Sequence, residues 1–280
     1  MQYFTIQSLL KITGIGSASG IIYKDNSLFI ISDNSSFLYN YNLQENTLTK
    51  IPITENPQEN IAKKDKFDFE SIALKGNKLH ILGSGSTSKR EKRITYNLDT
   101  ETIVEKDLTK LYKQLKENFS ISDDELNNEG AFFNTDQWYL FQRGNGANSK
   151  NGIFKLNDNL NENANIEFIP IPLPKINNIE TSFTDAILVE DKIYFLATAE
   201  DTTSTYDDGE IVGSIIGCMD LKTLEIENTL KISDSHKFEG LTFYKKTEDK
   251  IEFLLCQDND TEVLETEIFR LILNVKASSH

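Results

Sequence analysis

Acidic or hydroxyl side chains recur at Ser19, Glu70, Glu129, Asp185 and Glu239, each just ahead of a small residue and an apolar run. Successive spacings are 51, 59, 56 and 54 residues. Four carboxylates converging on one axis would repel and raise one another's proton affinity unless a cation neutralised them. An all-oxygen set suits a hard ion, and calcium accepts roughly six to eight oxygens in adaptable geometry. Magnesium requires tighter octahedral coordination, and zinc prefers His or Cys, which the column lacks. The expected metal ligands are therefore Ser19, Glu70, Glu129, Asp185 and Glu239, holding calcium. The competing expectation is that these acids only bond backbone N–H groups where strands begin.

A second set lies fourteen residues further on, at Asp33, Ser84, Arg143 and Ala199, with Glu200 next in line. Arg143 is the expected anion grip, because a guanidinium holds a phosphate or carboxylate through two parallel bonds. Lys89 and Arg90 offer further positive charge. Asp33, Glu200 and Asp258 are expected as general bases or extra ligands. These residues border polar loops, SDNSS, GSGSTSKREKR, QRGNGANSKN, ATAEDTTSTYDDGE and QDNDTEVLETE, whereas the opposite turns are as short as KDN, KGN and NTD. Long loops on one face of a rigid scaffold mark the working face. The three histidines share no spacing that would build a catalytic triad.

The elements that must position these groups follow from the same repeat. Five segments share one grammar: ASGIIYKDNSLFIISD, FESIALKGNKLHILGS, NEGAFFNTDQWYLFQR, TDAILVEDKIYFLATA and FEGLTFYKKTEDKIEFLLCQ. Each reads as two apolar strands joined by a turn, and a third strand follows, as in FLYNYNL or EIFRLIL. Some add a fourth, LTKIPI or IEFIPIPL. Four antiparallel strands repeated radially predict an all-β fold, a five-bladed β-propeller. The last unit stops after its third strand, so the N-terminal YFTIQSLL is expected to complete that blade and leave no open edge. One helix is predicted over Glu105–Asn118, where Leu108, Leu111, Tyr112 and Leu115 form an apolar face that docks on the rim. The chain, 1–280, is read as a single domain.

Composition limits the partners. A net charge of −15 disfavours nucleic acid and anionic membranes. No apolar run approaches the ~20 residues of a membrane span, and the opening MQYFTIQSLL lacks the basic start of a secretory signal. The expectation is a cytoplasmic monomer that binds a small, anionic molecule at the long-loop face. Cys218 and Cys256 stand in apolar strands and read as two buried free thiols.

With its SASG, SDNSS, GSGST and LATAEDT stretches, the chain resembles an uncharacterised family of bacterial propeller-like proteins. Its blade grammar, with KFEGLTF and LFQRGNG, is similar to the calcium-dependent apyrases, five-bladed propellers that hydrolyse nucleoside di- and triphosphates. That resemblance implies a Ser, Glu, Glu, Ser, Glu column around calcium, matched here by Ser19, Glu70, Glu129 and Glu239, with Asp185 replacing the second serine. Two functions follow as expectations. One is calcium-dependent hydrolysis of a small phosphorylated or ester substrate, with the ion polarising the substrate and a loop carboxylate as base. The other is a non-catalytic scaffold or ligand-binding propeller in which calcium only ties the blades together.

Overall fold

Short apolar strands separated by Asn, Asp and Gly turns form five antiparallel sheets in the computed structural model. It describes residues 4–146, 148, 150–157, 160–161, 164–201, 209–258 and 263–274. Strand β1 (Phe4–Thr13) comes first. Blade one holds β2 (Ala18–Lys24), β3 (Ser27–Ser32), β4 (Phe37–Asn42) and β5 (Thr47–Pro52). Blade two holds β6 (Phe69–Lys75), β7 (Lys78–Gly83), β8 (Lys92–Asn97) and β9 (Ile103–Asp107). Blade three holds β10 (Asn128–Asn134), β11 (Gln137–Gln142), β12 (Gly152–Asn157) and β13 (Ile166–Pro170). Blade four adds the two-residue β14 (Lys175–Ile176) to β15 (Ile179–Val189), β16 (Lys192–Asp201), β17 (Glu210–Asp220) and β18 (Ile226–Ser233). Blade five is β19 (Phe238–Lys246), β20 (Lys250–Gln257) and β21 (Glu265–Asn274), and β1 pairs with β21 as its outermost strand. The expected closure is therefore present.

Inner strands β2, β6, β10, β15 and β19 each lie beside the next around the axis, and β19 returns to β2. Apolar clusters fill the five blade junctions. Phe141 meets Phe183 and Phe195 between blades three and four, for example, and Ile21 and Ile30 meet Leu254 and Cys256 between blades five and one. Each of these side chains is essentially inaccessible. Burial of this kind is worth about 25 cal/mol per Å² of apolar surface, so the closed ring is where the fold gains most of its stability.

Close approach at the axis explains the small residues of the repeat. A Cβ on Gly130 would lie 2.9 Å from the backbone nitrogen of Ala186, in the adjacent inner strand. One on Gly240 would lie 2.4 Å from Cys256 Sγ and 3.1 Å from the backbone of Gly20.

The helix differs from expectation at its start. Residues up to Asp107 extend blade two as β9, and α1 occupies Thr109–Phe119. Ile103 and Val104 are exposed on this outermost strand, so no alternation of burial marks it beside the helical spacing of the leucines. Leu111, Tyr112 and Leu115 dock on blades two and three, and the Tyr112 hydroxyl donates to Gly83 O at 2.6 Å. Both cysteines are free thiols, but Cys218 is only half-buried because it lies on an outward-facing register of β17. None of the described helices is long and apolar enough to cross a membrane.

Candidate metal centre

Every inner strand opens with a bulge, where one extra residue loses its cross-strand partner and is turned aside. The bulged residues are Ser19, Glu70, Glu129 and Glu239 in blades one, two, three and five. In blade four the pairing runs Phe183 to Ala197 and then Asp185 to Leu196, so the bulged residue is Thr184, not Asp185. Side-chain bonds agree with this register. Ser19 Oγ donates to Phe69 O at 2.5 Å, and Thr184 Oγ1 donates to Phe238 O at 2.7 Å. Each hydroxyl thus binds the carbonyl just ahead of the next blade's bulged glutamate.

Asp185 moves to the position that is Gly or Ser in the other blades. Its Oδ1 accepts from Ala186 N and its Oδ2 from Leu241 N, both at 2.7 Å. The carboxylate joins two neighbouring inner strands. Burial still pushes its pKa well above the ordinary value, although the two N–H groups oppose the rise. Of the expected column, Glu70, Glu129 and Glu239 come together, Ser19 contributes a hydroxyl already bonded to the backbone, and Asp185 is spent on the wall.

Two further tiers surround the bulges. Two residues upstream stand Ser17, Asp68, Asn127, Ser182 and Lys237, and after the returning strand stand Asp33, Ser84, Arg143, Thr198 and Asp258. Backbone bonds fasten the tiers together: Asp33 to Ser17, Ser84 to Asp68, Arg143 to Asn127 and Asp258 to Lys237. In blade four, Ser182 pairs with Thr198 by strand register, so Thr198 rather than Ala199 takes the expected place. In blades one to three the returning strand therefore does end over the bulge, as its fourteen-residue offset predicts.

Charge across these tiers falls into two networks. In the first, Lys66 bridges Asp33 and Asp68, the latter at 2.7 Å. Asp68 also accepts from Arg90 at 2.7 Å and from Ser84 Oγ at 2.5 Å. Burial pushes Asp68 up, yet Lys66 and Arg90 hold it below the ordinary carboxylate value. Asp33 is raised from 3.8 to about 6, chiefly by burial, against the pull of Lys66 and with help from Asp258 and Asp68. In the second network Arg143 pairs with Glu129 at 3.1 Å and Glu200 at 2.5 Å. Lys237 pairs with Glu239 at 2.9 Å and Asp258 at 3.6 Å.

Glu70 lies between the networks. Among the described residues it has neither a hydrogen bond nor an ion pair, although it is only 8% exposed. Burial raises its pKa well above normal, and Glu129, Asp68, Glu239 and Asp33 add to the rise. Carboxylate oxygens of Asp33, Asp68 and Glu70 lie within 4.8 Å of one another. Asp33 Oδ1 is buried without a partner. Seven carboxylates (Asp33, Asp68, Glu70, Glu129, Glu200, Glu239 and Asp258) face four cations (Lys66, Arg90, Arg143 and Lys237), which leaves three negative charges uncompensated.

The expected catalytic residues are thus all here, but in changed roles. Arg143 is bound by two carboxylates through its two terminal nitrogens, while its Nε is buried without a partner. Glu200 is its partner. Asp33 keeps a buried, unpartnered Oδ1. Lys89, by contrast, sits out at the surface on Asp65 at 2.6 Å. Lys66, Asp68 and Lys237 were missed by sequence reasoning. Their signal is the alternation of charge with phenylalanine in Lys66–Phe67–Asp68–Phe69–Glu70 and Lys237–Phe238–Glu239. Parts of the expected long-loop face, at 202–208 and 259–262, lie outside the described residues.

Comparison with solved structures finds distant likenesses in fold. The major Malassezia sympodialis allergen Mala s 1 is similar at a TM-score of 0.55 and 9% identity, over 93% of this chain and 95% of that one. A structural genomics protein of unknown function from Bacteroides thetaiotaomicron gives 0.49 and 8% identity over 98% and 76%. A luciferin-regenerating enzyme gives 0.45 and 7% over 96% and 95%. At such identities the likeness concerns the fold alone. No curated protein sequence matches the chain. A family model does match, over residues 14–273, and the chain accordingly belongs to the family of unknown function DUF6929.

Proposed function

We propose that the axial end of this propeller binds a hard divalent cation, with calcium as the best candidate. The observation that carries the reading is Glu70, a buried carboxylate with no cation of its own, faced by four other acids. The donor set fits such an ion. It is made of oxygens, Asp33 keeps an unpartnered oxygen, and the cluster is short of positive charge. Glu70, Asp33 and Asp68 would hold the ion, with Glu129 and Glu239 neutralised by it across the axis. The hydroxyl of Thr184 at the fourth bulge supports the resemblance to the calcium-dependent apyrases better than Asp185 does.

Hydrolysis of a small phosphorylated or ester substrate is the second reading, and Asp33 favours it. A carboxylate that keeps an unpartnered oxygen at a cation site is placed to take a proton from water, and the ion would keep it ionised near neutrality. The ion would supply Lewis-acid polarisation. The chain would act as one domain, with the small substrate entering at the same end.

Melting the metal-stripped protein with and without calcium tests the first reading. Calcium at about a hundredfold over its Kd should add about 2.7 kcal/mol of stability. An unchanged midpoint would remove it. For the second, turnover of phosphoesters and esters should require calcium and be lost in Asp33→Asn. Turnover surviving that change would refute the role given to Asp33.

A further inference from the structure

From the short-turn end of blade two, an open groove of about 780 Å³ runs up between blades two and three. Lys75, Lys78, His80, Arg93 and Lys106 line one side, and Phe133 of blade three lines the other. Strand register shows why these charges line one wall, in two rows four residues apart. Lys75 pairs with Lys78, Leu82 with Arg93, and Arg93 with Lys106. Residues paired directly across a sheet share a face, and side chains alternate along each strand. All five therefore project from the same face of blade two.

Two of those pairs oppose like charges, Lys75 with Lys78 and Arg93 with Lys106. Like charges directly opposite each other destabilise a sheet. The chain as a whole carries −15, so these cations are concentrated against the prevailing sign. Asp99 is the acid lining the groove, and Asn77 donates to it. Neither Arg93 nor Lys78 meets a carboxylate among the described residues, and the Arg93 Nε is buried without a partner. His80 is 7% exposed, with its Nε2 also unpartnered. Burial first, then Arg93, Lys75 and Lys78, push His80 down to about 3, which keeps it a neutral donor or acceptor. Lys75 Nζ stands 3.8 Å from the Phe133 ring centroid, and Lys106 Nζ donates to Leu160 O at 2.8 Å. The Leu160 carbonyl thus holds Lys106 in place without cancelling its charge.

We infer that this groove binds a phosphate group, with Arg93 as its principal ligand and Lys78 and Lys106 beside it. A guanidinium matches a phosphate's oxygens through two parallel bonds, and the flanking ammonium groups act as point charges. A bound anion would also relieve the like-charge pair of Arg93 and Lys106. The phosphate is either the free ion or the end of a monoester whose organic part lies toward Phe133.

Calorimetric titration of the full chain with inorganic phosphate and with phenyl phosphate, at low salt, tests this. Saturable binding is expected, and Arg93→Gln should weaken it about tenfold to a hundredfold, the usual worth of a charged hydrogen bond. Lys78→Gln, at an exposed turn, should weaken it less, and added salt should weaken it throughout. Tighter phenyl phosphate identifies a monoester; equal affinities identify the free ion. Without ligand, Arg93→Gln should melt no lower than the parent, because it removes one like-charge pair. A collapse in its melting point would make Arg93 a structural residue and overturn the inference. So would a lack of saturable binding, or equal binding by both variants and parent. Glu70→Gln should leave phosphate affinity unchanged, which separates this site from the carboxylates at the other end.

Discussion

Glu70 and Arg143 occupy the same polar layer, yet their neighbours assign them opposite parts. Arg143 is enclosed by Glu129 and Glu200, so removing it leaves two buried acids facing each other. Arg143→Met should therefore cost on the order of 3–5 kcal/mol, read from denaturant unfolding. A loss below about 1 kcal/mol, the worth of an ordinary exposed pair, would contradict this placement. Glu70 has no such partner. Glu70→Gln removes an uncompensated charge and should leave the metal-free protein as stable as the parent, or more so. Both residues were legible in the sequence because they recur at fixed offsets. Arg143's role was not legible, since its partners come from different blades and only folding brings Glu200, fifty-seven residues away, within 2.5 Å.

Bulges at the head of each inner strand decide which side chain reaches the axis. They also explain the displaced reading of blade four. An aspartate beside alanine imitates the acid-then-small pattern, but the bulge follows Phe183, as it follows Phe69 and Phe238 in blades two and five. The preceding phenylalanine was the usable signal. Asp185→Ala should cost about 1–3 kcal/mol for each backbone N–H it orphans, without changing calcium affinity. A lost calcium response with unchanged stability would restore Asp185 to the ligand set. Blade count, strand pairing and closure by β1 were readable because repetition and alternation act locally. The ion-pair networks were hidden because they depend on side chains of different blades converging in space.

Across the whole molecule, the buried acids gather at one end of the ring, and pH should expose that end. Asp33, Glu70 and Glu239 all titrate above their ordinary values, each mainly through burial, so the folded state keeps protons that the unfolded chain releases. Stability of the metal-free protein should consequently fall as pH rises, for Asp33 between 3.8 and about 6. Asp68, held below normal, contributes the opposite slope under acid conditions, where its ion pairs are lost. Calcium competes with those protons, so its stabilisation should grow across the same window. Melting curves from about pH 4 to 8 check this, and a calcium effect that shrinks with rising pH would refute it. Calcium titration of the metal-stripped chain beside its Glu70→Gln variant tests the proposed centre most directly. Saturable heat in the parent and none in the variant is the predicted result; silence in the parent, or equal binding by both, would contradict it.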